Sequence, residues 1–245
     1  MVILVYLWRL WFVVLGVLLT LLMAPWVYIF SFNKKHFRIA YFFIRIWALG
    51  LYYGMGFRYR WIKETQRKIE KGRQYVFIAN HTSVMDIMLM VVLLPEHPLC
   101  FVGKKELVKL PIFGTIYKRV AVMVDRDSAK SRAEVYTRAA ERMQHGQNMV
   151  IFPEGLVPDD TTVTLAPFKN GAFMLASQHQ LPLCVLTFVG LKQMFPFDNA
   201  KGYPGRVKVF LNEIIEPADG YTLETMKEAA FQMIKNTIEK HEVSF

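Results

Sequence analysis

The chain has 245 residues, 53% of them hydrophobic and 20% charged, with a formal net charge of +10. That length is enough to bury a full core, organised as one domain with an appendage. The two cysteines, Cys100 and Cys184, lie far apart in apolar surroundings. This excludes a disulfide framework and favours reduced, buried thiols in a cytosolic compartment, and no motif supports a cysteine–histidine nucleophile pair.

The positive charge is concentrated before Glu64, which is the first acidic residue of the chain. The basic residues of this part are Arg9, Lys34, Lys35, Arg38, Arg45, Arg58, Arg60 and Lys63. A basic protein raises the question of nucleic-acid binding. These residues are set among Trp, Tyr, Phe and Leu in a strongly apolar segment. This combination favours anionic membrane lipids as the partner and argues against a nucleic acid.

The first predicted element is an apolar helix over residues 1–30, interrupted by a single charge at Arg9. The uncharged run Leu10–Phe30 is long enough to cross a hydrocarbon core of about 30 Å. Basic residues follow it at once, so the positive-inside rule keeps the next residues on the cytoplasmic side. One alternative is a cleaved signal peptide, which the missing A-x-A site disfavours, and another is a helix that lies in the interface or re-enters one leaflet.

A second helix is predicted over His36–Phe57, which is rich in aromatic residues and ends among three glycines. Together the two helices form a predicted N-terminal hydrophobic two-helix membrane-docking segment, residues 1–63. The alternative is a pair of core helices packed on the soluble domain. The absence of acidic residues from this segment argues against that alternative.

Residues 64–245 alternate between strand and helix patterns. The predicted strands are Tyr75–Ala79, Leu99–Val102, Val120–Val124, Met149–Phe152, Leu183–Val189 and Val207–Leu211. The predicted helices are Met85–Leu94, Ser128–His145, Pro167–Gln178 and Leu223–Lys240. This alternation predicts an α/β domain in which helices cover the sheet.

A histidine and a carboxylate follow the first buried strand of this domain. Ligands of open α/β sheets bind outside the C-terminal ends of strands. If His81 lies on the loop and Asp86 in the first helical turn, the carboxylate can fix one ring nitrogen while the other takes a proton from a substrate. The alternative is structural, because Ser83-x-x-Asp86 before an apolar run is also a capping-box pattern.

Polar residues also follow three later strands, in the sequences Gly103-Lys104, Asp125-Arg126 and Pro153-Glu154-Gly155. Each is ordinary by itself, since a lysine after glycine is usually on the surface and an Asp-Arg pair is usually a salt bridge. Their recurrence beside buried strands predicts that they converge on one pocket with a base, cations and a carboxylate.

These motifs resemble, in order, the conserved blocks of the glycerolipid acyltransferase family, typified by 1-acylglycerol-3-phosphate (lysophosphatidate) acyltransferase. Asn80-His81-x-x-x-x-Asp86 is similar to the family's NHx4D signature, and Phe152-Pro153-Glu154-Gly155 to its FPEG block. The other similar blocks are Gly103-Lys104-Lys105-Glu106-Leu107 with Pro111-Ile112-Phe113-Gly114, Val124-Asp125-Arg126, Pro167-Phe168-Lys169-Asn170-Gly171-Ala172-Phe173 and Leu181-Pro182-Leu183. The resemblance covers about residues 80–189 and implies a mixed, mostly parallel sheet.

The resemblance implies a chemistry. His81 is expected to deprotonate the acceptor hydroxyl with support from Asp86, and the hydroxyl then attacks an acyl thioester without a covalent acyl-enzyme. The expected acyl-acceptor-binding residues are Ser83, Lys104, Arg126, Glu154, Gly155 and Lys169. The expected donor is acyl-carrier protein or coenzyme A thioester, with no cofactor and no metal, at the cytoplasmic face of the inner (plasma) membrane. Backbone N–H groups after His81 or near Gly155 are candidate oxyanion donors.

The chain departs from the family pattern after Gly155. The family block usually continues Thr-Arg-Ser, and here the sequence reads Leu156-Val157-Pro158-Asp159-Asp160. The expected function is conversion of lysophosphatidate to phosphatidate. A different lysophospholipid or a lyso-aminolipid remains an alternative acceptor, and a non-catalytic membrane lipid-binding protein is the alternative from another class.

Overall fold

The structure, a computed structural model, describes residues 2–125, 128–157 and 163–241. The chain forms two compact units. The first contains Met1–Gly56 and Ile87–Val150, and the second contains Phe57–Asp86 and Ile151–Phe245. The second unit carries the histidine and most of the other predicted site residues.

The helices of the described residues are α1 (Val2–Phe30), α2 (Phe37–Gly54), α3 (Met85–Leu93), α4 (Phe113–Val120), α5 (Ala129–Gln144), α6 (Gly171–Gln178), α7 (Leu191–Met194) and α8 (Leu223–His241). The strands are β1 (Arg58–Lys63), β2 (Val76–Ile78), β3 (Leu99–Lys104), β4 (Val122–Val124), β5 (Asn148–Ile151), β6 (Leu183–Val189) and β7 (Arg206–Ile215). Short 3₁₀ helices occupy Lys34–His36, Lys105–Lys109 and Pro217–Asp219.

The predicted N-terminal helix pair forms, and its two helices pack against each other in the first unit. Two indole hydrogen bonds link the helices. Trp8 Nε1 donates to the Met55 carbonyl at 3.1 Å, and Trp47 Nε1 donates to Thr20 Oγ1 at 3.1 Å. In the described part of the chain, α1 alone is long and apolar enough to cross a membrane by length and composition, and 6% of its most apolar window is buried. This apolar helix supports a membrane-associated protein.

Helix α2 differs from α1 because one of its faces is buried in the first unit. Tyr41 is 2% exposed, and its hydroxyl donates to the Leu94 carbonyl at 3.0 Å. The Trp47 ring lies 6.4 Å from the Phe113 ring of α4, measured between centroids. The core-packing alternative therefore describes α2, whereas α1 keeps an exposed apolar surface. The docking role of residues 1–63 stays a prediction.

The predicted α/β class with a mixed, mostly parallel sheet is confirmed. In the second unit the strand order is β1-β7-β6-β2, and only the β6–β7 pair is antiparallel. In the first unit β3 lies between β5 and β4 and pairs with both in parallel. Helices α6 and α8 pack on the strands of the second unit, and α5 packs on β4.

Several elements differ from the sequence prediction. Arg58–Lys63, placed before the predicted domain, is strand β1, whose mostly exposed residues obtain their partners from β7 far along the chain. Phe113–Val120 is a helix that was not predicted. Helix α6 begins at Gly171 instead of Pro167, because the Lys169 N–H donates to the Pro153 carbonyl at 2.8 Å and draws the preceding segment away from helical pairing.

Candidate active site

The loop that follows β2 is fixed by the side chain of Asn80. This side chain is 2% exposed, donates from Nδ2 to the Phe188 carbonyl at 2.9 Å, and accepts the Phe188 N–H at 2.8 Å. The asparagine therefore ties the end of β2 to β6, which is its parallel neighbour. A buried side chain with two hydrogen bonds to the backbone of one residue holds the next residue, His81, in a defined place.

His81 and Asp86 make the contact that their spacing predicted. His81 Nδ1 lies 2.9 Å from Asp86 Oδ2, and the Asp86 side chain is fully buried while that of His81 is 18% exposed. A carboxylate in this position fixes Nδ1 as the protonated nitrogen. No described residue gives Nε2 a hydrogen-bond partner, so this nitrogen is left to accept a proton from a ligand.

One carboxylate oxygen of Asp86 accepts all the hydrogen bonds that this side chain makes. Besides the histidine, Oδ2 accepts the N–H groups of Thr82 at 2.6 Å and Ser83 at 2.8 Å. Among the described residues, Oδ1 is buried without a hydrogen-bond partner. The capping prediction describes Asp86, which lies in the first turn of α3 and accepts the Ser83 N–H with the same oxygen that contacts His81. Its catalytic role stays a prediction.

Ser83 has a different environment from the one expected of a ligand-binding hydroxyl. It is fully buried, its Oγ donates to the Phe195 carbonyl at 2.7 Å, and the same Oγ accepts the Met85 N–H at 3.2 Å. These contacts hold the loop. Its predicted contact with an acyl acceptor stays a prediction.

Phe152 and Glu154 bring the FPEG segment against the histidine. The rings of His81 and Phe152 stack with centroids 4.2 Å apart and planes 14° apart. Glu154 Oε1 accepts the His81 N–H at 2.7 Å, and Oε2 accepts the Ala166 N–H at 2.9 Å. The histidine is thus held by its ring face, its backbone and its Nδ1.

Burial raises the pKa of the Glu154 carboxyl, and the hydrogen bonds from Ala166 and His81 oppose that rise. Both carboxylate oxygens accept hydrogen bonds from backbone N–H groups. The side chain therefore links the FPEG segment to the histidine loop. Glu154 was predicted to contact the acceptor, and that contact stays a prediction.

Lys169 lies beside Gly155. Gly155 has φ +76°, and a Cβ added there would come within 2.8 Å of Lys169 Nζ. The absence of a side chain at this position therefore lets the exposed ammonium of Lys169 lie over the FPEG turn. Of the predicted cations, Lys169 is the one that lies beside the segment of Glu154 in the second unit.

The remaining predicted site residues are placed differently. Lys104 is exposed at the end of β3 in the first unit. Arg126 lies outside the described residues, as do Pro158, Asp159 and Asp160. The phosphate-binding roles of Lys104 and Arg126 stay predictions.

The expectation for the oxyanion donors is wrong for the residues directly after His81. The N–H groups of Thr82 and Ser83 donate to Asp86, and the Gly155 N–H donates to the Phe152 carbonyl at 3.0 Å. An N–H group that already serves a buried partner is not available to an incoming oxyanion.

Neither cysteine has the properties of a nucleophile. Cys100 and Cys184 are free, fully buried thiols. Burial raises the pKa of Cys100 to about 11 and raises that of Cys184 further. Because the thiolate is the nucleophilic form, neither thiol is suited to attack a substrate.

Asn80 and Phe152 lie inside recognisable motifs, but the sequence alone assigns neither of them a role. Their functions depend on Phe188 and His81, which are distant in sequence. The only local signal was the position of each residue at the end of a buried strand.

The fold and the site together define an α/β protein with a histidine, oriented by a buried carboxylate, at the end of a parallel strand. The family model named Acyltransferase matches residues 60–189, more than half of the chain. The chain therefore belongs to the acyltransferase family.

Several known proteins are similar to this chain. The human "1-acyl-sn-glycerol-3-phosphate acyltransferase beta" is 30% identical over 70% of this chain and 59% of its own length. "Lyso-ornithine lipid O-acyltransferase" of Brucella abortus is 34% identical over 64% of this chain and 55% of its own. The chain thus spans under two thirds of these relatives.

A solved structure has a similar fold over nearly its whole length. It is the crystal structure of the 1-acyl-sn-glycerophosphate (LPA) acyltransferase PlsC from Thermotoga maritima, with a TM-score of 0.76 and 22% sequence identity. The similarity covers 98% of this chain and 97% of that one. At this identity the match establishes the shared fold.

Proposed function

We propose that the protein transfers a fatty acyl group from an acyl thioester to the free hydroxyl of lysophosphatidate, which gives phosphatidate. The observation that carries this proposal is the pairing of His81 Nδ1 with Asp86 Oδ2 at 2.9 Å. It leaves Nε2 to receive the hydroxyl proton. The names of the relatives support the choice of acceptor.

The reaction needs one base and no covalent intermediate on the protein. His81 Nε2 takes the proton of the acceptor hydroxyl as its oxygen attacks the thioester carbonyl carbon. Asp86 stabilises the imidazolium that forms, because its charge lies against Nδ1–H. The tetrahedral intermediate then expels the thiolate, which receives the proton back from Nε2 as the C–S bond breaks.

The donor in this proposal is a coenzyme A or acyl-carrier-protein thioester, and no cofactor takes part. Both donors are acidic, and the chain is strongly basic, so long-range attraction favours their approach. The protein acts at the cytoplasmic face of the inner membrane, where the basic residues after α1 meet anionic lipid.

Lys169 is the cation that we assign to the acceptor's phosphate in this unit, with Lys104 and Arg126 as further proposed contacts. It is exposed, and Gly155 lets its ammonium lie over the turn that carries Glu154. An ammonium in this position neutralises phosphate charge and leaves orientation of the hydroxyl to the histidine loop.

A second acceptor class is favoured by a specific observation. Leu156 and Val157 stand where the family usually has threonine and arginine, and Leu156 is 43% exposed. The missing guanidinium removes one bidentate phosphate ligand. The Brucella relative is named for a lyso-ornithine lipid, which has no phosphate, so a lyso-aminolipid is the second candidate.

An acceptor panel separates these candidates. Purified full-length protein would be given one labelled acyl thioester with lysophosphatidate, lysophosphatidylcholine or lyso-ornithine lipid in mixed micelles. We expect kcat/KM for lysophosphatidate to exceed the others by about tenfold or more, as one charge-assisted contact predicts. The reverse order would establish the aminolipid, and transfer to none of them would contradict both proposals.

A further inference from the structure

A short loop of the first unit exposes apolar side chains beside lysines. It runs from Lys104 to Ile112, and we call it the 104–112 loop. Leu107, Leu110 and Ile112 are 36%, 50% and 49% exposed. In the described part of this unit, these are the only exposed large apolar side chains outside residues 1–56. Exposed apolar residues grouped this way mark an interaction surface.

The backbone holds these side chains outward. Ile112 has φ +61°, which is unusual for a β-branched residue and costs conformational energy. Gly114 fixes the other side of the loop, because a Cβ there would lie 2.0 Å from the Val108 carbonyl oxygen. Glycine therefore permits a close contact between the backbones of residues 108 and 114, which fixes the path of the loop.

The charge around the loop is strongly positive. Residues 104–119 contain five basic side chains and one acidic side chain, Glu106. Lys105 pairs with Asp125. Lys104, Lys109 and Lys118 are exposed and have no carboxylate partner among the described residues. Unpaired lysines around exposed aliphatic groups complement an anionic lipid surface.

The loop is continuous with the exposed apolar helix of the same unit. Phe113, directly after Ile112, packs on Trp47, whose indole bonds to Thr20 in the middle of α1. At the far end of α4, the Arg119 guanidinium lies 4.4 Å from the ring centroid of Tyr28. Helix α4 therefore joins the loop to the apolar helix, and this continuity favours a lipid surface over a soluble acidic protein.

We propose that the 104–112 loop is a second membrane contact, in which Leu107, Leu110 and Ile112 enter an anionic leaflet and Lys109 and Lys118 meet its headgroups. The loop then fixes how the first unit is turned on the membrane, which one apolar helix cannot do alone. The proposal does not depend on the acyl acceptor or on catalysis.

A fluorescent probe tests the contact in the full-length protein. An environment-sensitive fluorophore is attached to Leu110→Cys, and the protein is reconstituted with vesicles of phosphatidylcholine and phosphatidylglycerol carrying brominated acyl chains. Buried Cys100 and Cys184 resist labelling because burial raises the pKa of each thiol. We expect a blue shift and loss of emission, whereas a probe at Ala133→Cys, exposed on α5, keeps its emission.

A charge-reversal pair supplies the second arm. Lys109→Glu/Lys118→Glu should restore emission of the Leu110→Cys probe in the anionic vesicles, because the headgroups then repel the loop. The matched control is Lys235→Glu/Lys240→Glu on α8, which makes the same change in net charge and should leave quenching intact. Co-sedimentation confirms that every variant is on the vesicles.

Two results would overturn the proposal. One is a vesicle-bound protein whose Leu110→Cys probe is unquenched, or is quenched no more than the Ala133→Cys probe. The other is a probe that shifts only when acyl-carrier protein is added, since that would assign the loop to a protein partner.

Discussion

Replacement of His81 by alanine is expected to lower kcat for acyl transfer by about 10²- to 10⁴-fold, the range that general-base catalysis contributes. The alanine removes the group that takes the hydroxyl proton, while Asn80 and Glu154 still hold the loop by its backbone. Because Glu154 bonds to the N–H of residue 81 and not to its ring, that contact survives the substitution. KM for the thioester should therefore change little.

The matched control is His179→Ala, which removes an exposed histidine of the same unit. Its activity should equal that of the wild type. Equal rates for His81→Ala and wild type, measured as labelled ester formed per minute, would remove the histidine from the mechanism. An increase in KM with unchanged kcat would instead indicate that His81 takes part in substrate binding.

Substitution of Asp86 by asparagine is expected to lower kcat, and the size of the decrease measures the contribution of the carboxylate charge. Since Oδ2 accepts His81, Thr82 and Ser83 together, an asparagine that places its one amide oxygen there keeps all three hydrogen bonds. Only the negative charge is lost, so the developing imidazolium is less stabilised. We expect kcat to fall about 10- to 100-fold, the difference between a charge-assisted and a neutral hydrogen bond.

Asp86→Ala is the companion variant, because it removes charge and geometry together. Two backbone donors, the half-buried Thr82 N–H and the buried Ser83 N–H, then lose their acceptor, and the buried one costs about 1–3 kcal/mol. Its kcat should fall well below that of Asp86→Asn, and its free energy of unfolding should fall as well. If the two variants had equal kcat and equal stability, the three-donor arrangement at Oδ2 would have no functional importance.

The sequence predicts the central pair because the information is local. A buried strand, a five-residue spacing and an apolar helix place His81 on a loop and Asp86 in the first turn, and β6 occupies the predicted range Leu183–Val189. Ser128, the first residue of the predicted helix, caps α5 and accepts the Ser131 N–H. The hydrogen bonds that link His81 to Asp86 and Ser128 to Ser131 are thus made between neighbours in the chain.

Other features depend on residues that are distant in sequence. Strand β1 carries alternating basic and aromatic residues without a buried face, and its pairing with β7 makes it a strand. Phe152 stacks on His81, and Glu154 accepts one hydrogen bond from each of two loops. These contacts form only when the FPEG segment and the histidine loop are both folded.

We propose that the acyl group passes directly from the thioester to the lysolipid hydroxyl, with His81 as the base and Asp86 as its support. This mechanism is tested by following thiol release and labelled ester formation together, with purified full-length protein, acyl thioester and lysophosphatidate. Direct transfer predicts equal amounts of thiol and ester, little thiol release without acceptor, and no acyl group on the protein by mass spectrometry. A protein that binds both lipids without releasing thiol, or one that accumulates an acyl-protein adduct before acceptor is added, would contradict it.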